Sequence, residues 1–325
     1  MFGALRFILA ALVALSHIDI RFGDLNPGVS AVVVFYLLTG YVMTAQLRGK
    51  FSGASNIPAF YLDRILRIFP AYLFFAGLTL LWFYLSGHAT AFLRHAPTAF
   101  DLLNNLSIIP LNFYMFNQSD QFTLLPATWS LGAELQFYLL IPLLLLVPGL
   151  RSLALVISLS VFLFASLGLI NSEWYGYRLL PGVLVIFLTG GYLFERHTRR
   201  PKAMFALLSI LLSLMLIALV IQLGHLWHLP YSREVFIGLA LGIPAVALLA
   251  RLPRQGWDEW LGHLSYGLFL AHFLWLWAAG DWLGSAAREP LWVLLGSTLL
   301  ATFAILLIET PITRYRHHLR SKKTP

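Results

Sequence analysis

The chain has 325 residues, 59% hydrophobic and 11% charged, with a mean hydropathy of +0.78, which excludes an ordinary water-soluble domain and marks an integral membrane protein. Cysteine is absent, which excludes disulfides, thiol nucleophiles and thiolate metal sites. The formal charge of +8 would suit nucleic acid or anionic lipid, but in a membrane chain the placement of the positive charges says more than their sum.

A bilayer core of about 30 Å takes roughly 20 mostly apolar residues per helix. Such runs lie at 4–20, 28–47, 68–86, 127–149, 152–170, 178–195, 203–223, 234–251, 261–280 and 291–309. They predict an all-α integral membrane protein with about ten transmembrane helices in one bundle, a single domain over 1–325. The first run has no basic stretch before it and no small-residue cleavage site after it, so it reads as a retained helix rather than a signal peptide. The connections alternate in charge: of the 22 Lys and Arg, sixteen fall in one set, five in the other, and Arg6 lies inside the first run. By the positive-inside rule both termini face the cytoplasm, the C-terminus through a short basic tail at about 312–325.

Taken in chain order, the runs hold ionisable residues that cost at least about 2.5–3.5 kcal/mol each in a spanning helix, and so should face the bundle interior, a partner or water. In the first, Arg6 and His17 are eleven residues apart. Three helical turns separate them, which predicts one shared face with His17 roughly 16 Å farther along the axis, in the outer half. Snorkelling by Arg6 and end-capping by His17 are the plainer alternative. Gly40, in "FYLLTGYVM" of the second run, reads as a site of close helix packing. Arg64 and Arg67, in "FYLDRILRIFPAY", fall on one helical face at the cytoplasmic surface just before a span read as starting at Pro70. Two arginines so placed can grip phosphate, or can simply anchor the helix.

The outer connection at 87–126 is too polar to span, yet apolar enough to lie on the protein or at the interface. The fourth run, opening "TWSLGAELQFYLLIP", places Glu134 at an outer-half depth like that of His17, with Ser130, Glu134 and Tyr138 on one face. A carboxylate near an imidazole is the pairing expected of an oriented general base, and a buried Glu satisfied by its neighbours is the alternative. Trp129, Trp174, Tyr175 and Tyr177 are candidate aromatic stacking platforms on the outer side, though interfacial belts use the same residues. In the ninth run Ser265 and His272 share a face, with His272 near mid-membrane. The tenth ends "LLIETPITRYR", bringing Glu309 to the inner boundary and Arg314 just beyond it, an arrangement that favours a structural ion pair. His225 and His228 stand too alone to form a metal site, and no P-loop, dinucleotide fingerprint or nucleophile elbow occurs.

Six ordered blocks over nearly the whole chain, "LRFILAALVALSH", "FYLLTGYVM", "FYLDRILRIFP", "TWSLGAELQFYLLIP", "LGHLSYGLFLAH" and "IETPITRYR", resemble the membrane-bound acyltransferase family three. The resemblance implies a multi-pass protein of the bacterial inner membrane that moves an acyl group, usually acetyl, from cytoplasmic acetyl-CoA or another acyl-CoA to an extracytoplasmic carbohydrate hydroxyl. It implies further that Arg6 and His17 are the first-helix arginine and essential histidine, Glu134 the fourth-helix glutamate, and Arg64 and Arg67 part of the basic motif at the CoA entrance, with Arg6 a further candidate toward the CoA phosphates. Ser265, Tyr266 and His272 match the late "SY…H" block. Three departures stand out: Asp63 where many members carry arginine, Thr39 in place of a commoner serine, and no hydrolase-like domain after the last helix.

The reading that follows is a membrane O-acetyltransferase with acyl-CoA, carbohydrate and bilayer as partners, possible membership of a polysaccharide synthase complex, and no metal or nucleic acid. Its alternatives are a proton-coupled secondary transporter, against which no inverted repeat is found, and a noncatalytic membrane subunit of a polysaccharide synthase.

Overall fold

A computed structural model describes residues 2–198, 200–253 and 255–312; Arg314 and the basic tail from residue 313 onward lie outside them. The helices are α1 (Gly3–Ser16), α2 (Pro27–Arg48), α3 (Ile57–Ser86), α4 (Ala99–Ser107), α5 (Tyr114–Asn117), α6 (Trp129–Leu146) and α7 (Leu150–Ser166). They continue with α8 (Leu180–His197), α9 (Pro201–Leu223), α10 (Ser232–Leu249), α11 (Gly256–Ala278), α12 (Gly280–Leu283) and α13 (Pro290–Ala304). Among the described residues there are isolated bridges but no strand. The protein is an all-α membrane protein.

Each of the ten apolar runs falls on a helix. Among the described residues, seven stretches are long and apolar enough to cross a bilayer: 27–48, 54–86, 126–146, 174–197, 201–223, 232–249 and 290–312. Helices α1 and α7 are apolar but shorter, and α11 is long but carries Asp258, Glu259, His263 and His272. The exposed side of α9 shows why lipid is the solvent. Leu207, Ile210, Leu214, Ile217 and Ile221 form the buried stripe, while Phe205, Leu212 and Met215 are 69–75% exposed on the other side, a distribution that only a hydrocarbon surrounding stabilises.

Two boundaries differ from those read in the sequence. The first helix ends at Ser16 rather than near residue 20, because the N–H groups of His17, Ile18 and Asp19 bond to carbonyls three residues back and Asp19 takes φ 61°. A tightened turn followed by a left-handed residue terminates a helix. The third helix starts at Ile57 and runs through Pro70. In a long apolar helix one missing N–H is tolerated when the surrounding turns are kept.

The chain packs as two compact units, each assembled from separated stretches. In the unit formed by 20–57 and 133–254, α2 lies against α8 and α10 and is buried on nearly all sides. Its approach to α8 depends on Gly40, where an added Cβ would overlap the Phe187 carbonyl; small residues are what let membrane helices pack this closely. In the unit formed by 3–19, 58–132 and the described residues from 255 to 312, α1 and α13 pack on α11. At one end the Ala4 N–H donates to Asp258 Oδ1 at 2.9 Å, so a carboxylate on α11 satisfies an orphan donor of α1 and holds the two helices in register. The 87–126 connection belongs to this unit and is well packed. Leu93, Ile108, Leu111 and Phe122 are buried, and buried Asn105 ties it together by donating to the Asp101 and Phe122 carbonyls while accepting from Leu124 N–H.

Candidate functional site

The tightened end of α1 leaves His17 exposed at the tip of the helix. Helix α11 brings His272, fully buried, against it. His17 Nδ1 and His272 Nε2 are 3.1 Å apart, the ring centroids 5.1 Å apart with an 18° interplanar angle. Phe273 packs on both rings, at 4.7 and 4.8 Å, and Phe92 of the outer connection lies against Phe273 at 5.6 Å. A hydrogen bond between two imidazoles uses one N–H and one lone pair. If the proton sits on His17 Nδ1, the basic lone pair of that ring is the one on Nε2.

In the same unit, Arg64 is buried and pairs with Asp63, its neighbour in the chain. Arg67 lies 3.4 Å from Glu309 Oε2 and 3.4 Å from His263 Nδ1, and those two are themselves 3.4 Å apart. Glu309 therefore has the ion-pair partner its position suggested, and that partner is Arg67. Tyr266 sits under the Arg67 guanidinium, 6.0 Å away, and donates to the Ile68 carbonyl at 3.0 Å. Ser265 donates to Gly262 O and Ser130 to Ala127 O, so both hydroxyls serve the local backbone. Arg6 is half-buried on α1, and Trp129 is half-buried at the start of α6.

In the other unit Glu134 accepts a hydrogen bond from Thr39 Oγ1 at 2.9 Å and another from the Tyr138 hydroxyl. The expected face shared by Glu134 and Tyr138 is thus a bonded pair. The carboxylate expected to orient His17 is engaged by Thr39 and Tyr138, and the ring found against His17 Nδ1 is His272. Tyr177 is buried, with Tyr231 at 5.1 Å and the Arg178 guanidinium at 5.3 Å, while Trp174 and Tyr175 are half-buried beside it.

A family model described as an acyltransferase domain matches residues 2–310. The chain belongs to acyltransferase family three. An uncharacterized protein of Aquifex aeolicus (strain VF5) is 37% identical over 158 residues, covering 47% of this chain and 71% of the relative. No solved structure matches. As a member of the family the protein is a multi-pass membrane acyltransferase.

Two participants escaped the sequence reading. Thr39 stood out only as a departure from the family pattern, yet its hydroxyl is bonded to the candidate glutamate; serine and threonine offer the same donor. His263 lies three residues before Tyr266 and one helical turn below it, and that spacing, set beside Arg67 and Glu309, was the available signal.

Proposed function

We propose that this acyltransferase is an O-acetyltransferase of the bacterial inner membrane, with both termini cytoplasmic, that takes its acyl group from cytoplasmic acetyl-CoA and delivers it to a carbohydrate hydroxyl outside. The observation that carries the reading is the His17–His272 pair: an exposed imidazole at a helix tip, backed by a buried one at hydrogen-bond distance. His17 takes the proton of the acceptor hydroxyl as its oxygen bonds to the acyl carbon; the carbon–sulfur bond breaks, and the sulfur leaves as CoA thiolate that is then protonated. His272 Nε2 accepts from His17 Nδ1–H throughout, fixing the ring and stabilising the imidazolium that forms. Glu134 is kept as a catalytic candidate, its carboxylate held rigid by Thr39 and Tyr138.

Donor phosphates are assigned to Arg67, Arg64 and Arg6. Arg67 suits the task because its side chain is 25% exposed and its 3.4 Å separation from Glu309 is long for a salt bridge, so a phosphate can compete for it with little loss. The cost of stripping Arg64 from Asp63 is larger, since both are buried. The test is turnover of labelled acetyl-CoA by detergent-purified protein, following bound ligand and free CoA. Wild type should bind and release CoA, and His17→Ala should bind but lose on the order of 10²–10⁴ in rate. Full activity in His17→Ala would refute the assignment.

A further inference from the structure

The end of α3, the residues just after it and α12 build a second cluster in the unit that holds His17. Asp281 accepts from Trp82 Nε1 at 2.7 Å through Oδ2, and its Oδ1 lies 2.9 Å from His88 Nδ1. The Trp82 indole stacks on Trp277, centroids 5.7 Å apart at 14°. Trp277 lies 5.4 Å from Phe273, and Phe273 lies 4.7 Å from His17. Two ring steps therefore join the tryptophan pair to the catalytic imidazole, which places Trp277 within about 10 Å of it.

A belt tryptophan turns its indole N–H toward lipid headgroups or water. At Trp82 that N–H is spent on a carboxylate of the protein, which fixes the plane of the ring. Each Asp281 oxygen has one partner in this cluster and a second lone pair left over. Indole faces held in position suit the apolar C–H face of a pyranose, and a carboxylate beside them suits its hydroxyls. The side chains of His88 and Asp281 are 63% and 26% exposed, so a ligand can reach them.

We propose that Trp82, Trp277, Asp281 and His88 form a saccharide subsite that holds the acceptor beside its reacting residue, whose hydroxyl is presented to His17. The inference rests on the acyl-transfer reading for the identity of the reaction, but binding of a saccharide can be measured without it.

The experiment is calorimetric titration of detergent-purified full-length protein with three probes, maltotetraose, cellotetraose and chitotetraose, alongside acetyl-CoA titration and turnover. Wild type binds at least one tetrasaccharide. Asp281→Asn and Trp277→Ala weaken that binding at least tenfold and leave acetyl-CoA affinity within twofold. Trp82→Phe, which keeps a ring but removes the N–H held by Asp281, weakens it as well and serves where Trp277→Ala does not fold. Binding of no tetrasaccharide by wild type, or equal binding by the folded variants, overturns the subsite and returns the tryptophans to an interfacial belt. Failure of acetyl-CoA turnover with saccharide binding intact would instead overturn the acyl-transfer reading alone.

Discussion

Removing His272 tests whether the buried imidazole acts through His17. Between neutral rings, a hydrogen bond such as the 3.1 Å contact contributes about 0.5–1.5 kcal/mol. When His17 takes the acceptor proton, the same contact becomes charge-assisted, worth about 1.5–3 kcal/mol. The part realised only with the charge lies on the reaction coordinate. That part is about 1–1.5 kcal/mol, so at about 1.4 kcal/mol per tenfold His272→Ala should lower kcat by roughly 5 to 12-fold. The Michaelis constant for acetyl-CoA should stay within about twofold of wild type, because transition-state stabilisation rather than uniform binding is removed. His272→Gln offers an amide oxygen as acceptor and should recover part of the loss. The decisive assay is a double-mutant comparison by CoA release, with thermal unfolding of each variant as a check on the cavity left at a fully buried site. Residues acting as a unit are strongly non-additive, so His17→Ala with His272→Ala should be about as slow as His17→Ala alone. Multiplying losses, or a wild-type kcat in folded His272→Ala, would refute the positioning role.

Other outcomes follow from contacts elsewhere. Arg67→Ala should raise the Michaelis constant for acetyl-CoA with kcat nearly unchanged, and an unaltered constant in steady-state kinetics would return Arg67 to anchoring. Glu195 accepts from Arg151 at 2.6 Å and from Arg48 at 3.0 Å, with side-chain exposures of 5%, 11% and 31%. Glu195→Ala strands Arg151 in the interior and should cost about 3–5 kcal/mol in detergent unfolding, whereas Arg48→Ala should cost far less; equal effects would contradict this burial argument. At the surface, a hydrogen bond from the Arg233 guanidinium, 2.5 Å from Asp24, holds the Asp24 carboxyl below its ordinary value of 3.8. A depressed folded pKa gives stability that is present above the unfolded value and is lost as pH falls through the folded one. Asp24→Asn should therefore match wild type only well below pH 3.8, and thermal melts at pH 7 and pH 3 that differ from wild type equally would count against the pairing.

What the sequence made legible was whatever depends on one helix at a time. Apolar runs long enough to span gave the helices, since hydrocarbon admits few other backbone solutions, and spacing placed Glu134 over Tyr138 at i, i+4, where the structure bonds them. Neither the end of α1 at Ser16 nor the passage of α3 through Pro70 was legible, because both turn on a few backbone angles that side-chain hydropathy does not record. Partners across the chain were harder still. The eleven-residue spacing of Arg6 and His17 directed attention to one face of the first helix, but periodicity states which face a residue occupies and not which helix meets it. The nearest carboxylate in depth, Glu134, was therefore an obvious partner for His17, while His272, 255 positions away, was visible only as a member of a late motif.

Two of the three departures from the family pattern, those at single residues, teach the same point from the other side. Asp63 and Thr39 each looked like the loss of a feature when taken alone. In the structure Asp63 pairs with Arg64 and Thr39 donates to Glu134, so each touches a residue the motifs had singled out. Thr39 keeps the hydroxyl that a serine would supply, and its effect on Glu134 is conservative. Asp63 puts a negative charge where the pattern has a positive one, and a buried arginine already matched by an aspartate has less charge to offer a phosphate. The burden of donor binding therefore shifts toward Arg67, whose partner Glu309 stands farther off. Substituting Asp63→Asn should then tighten acetyl-CoA binding through Arg64, and an affinity that falls or stays the same would show that the Asp63–Arg64 pair serves packing rather than tuning the donor site.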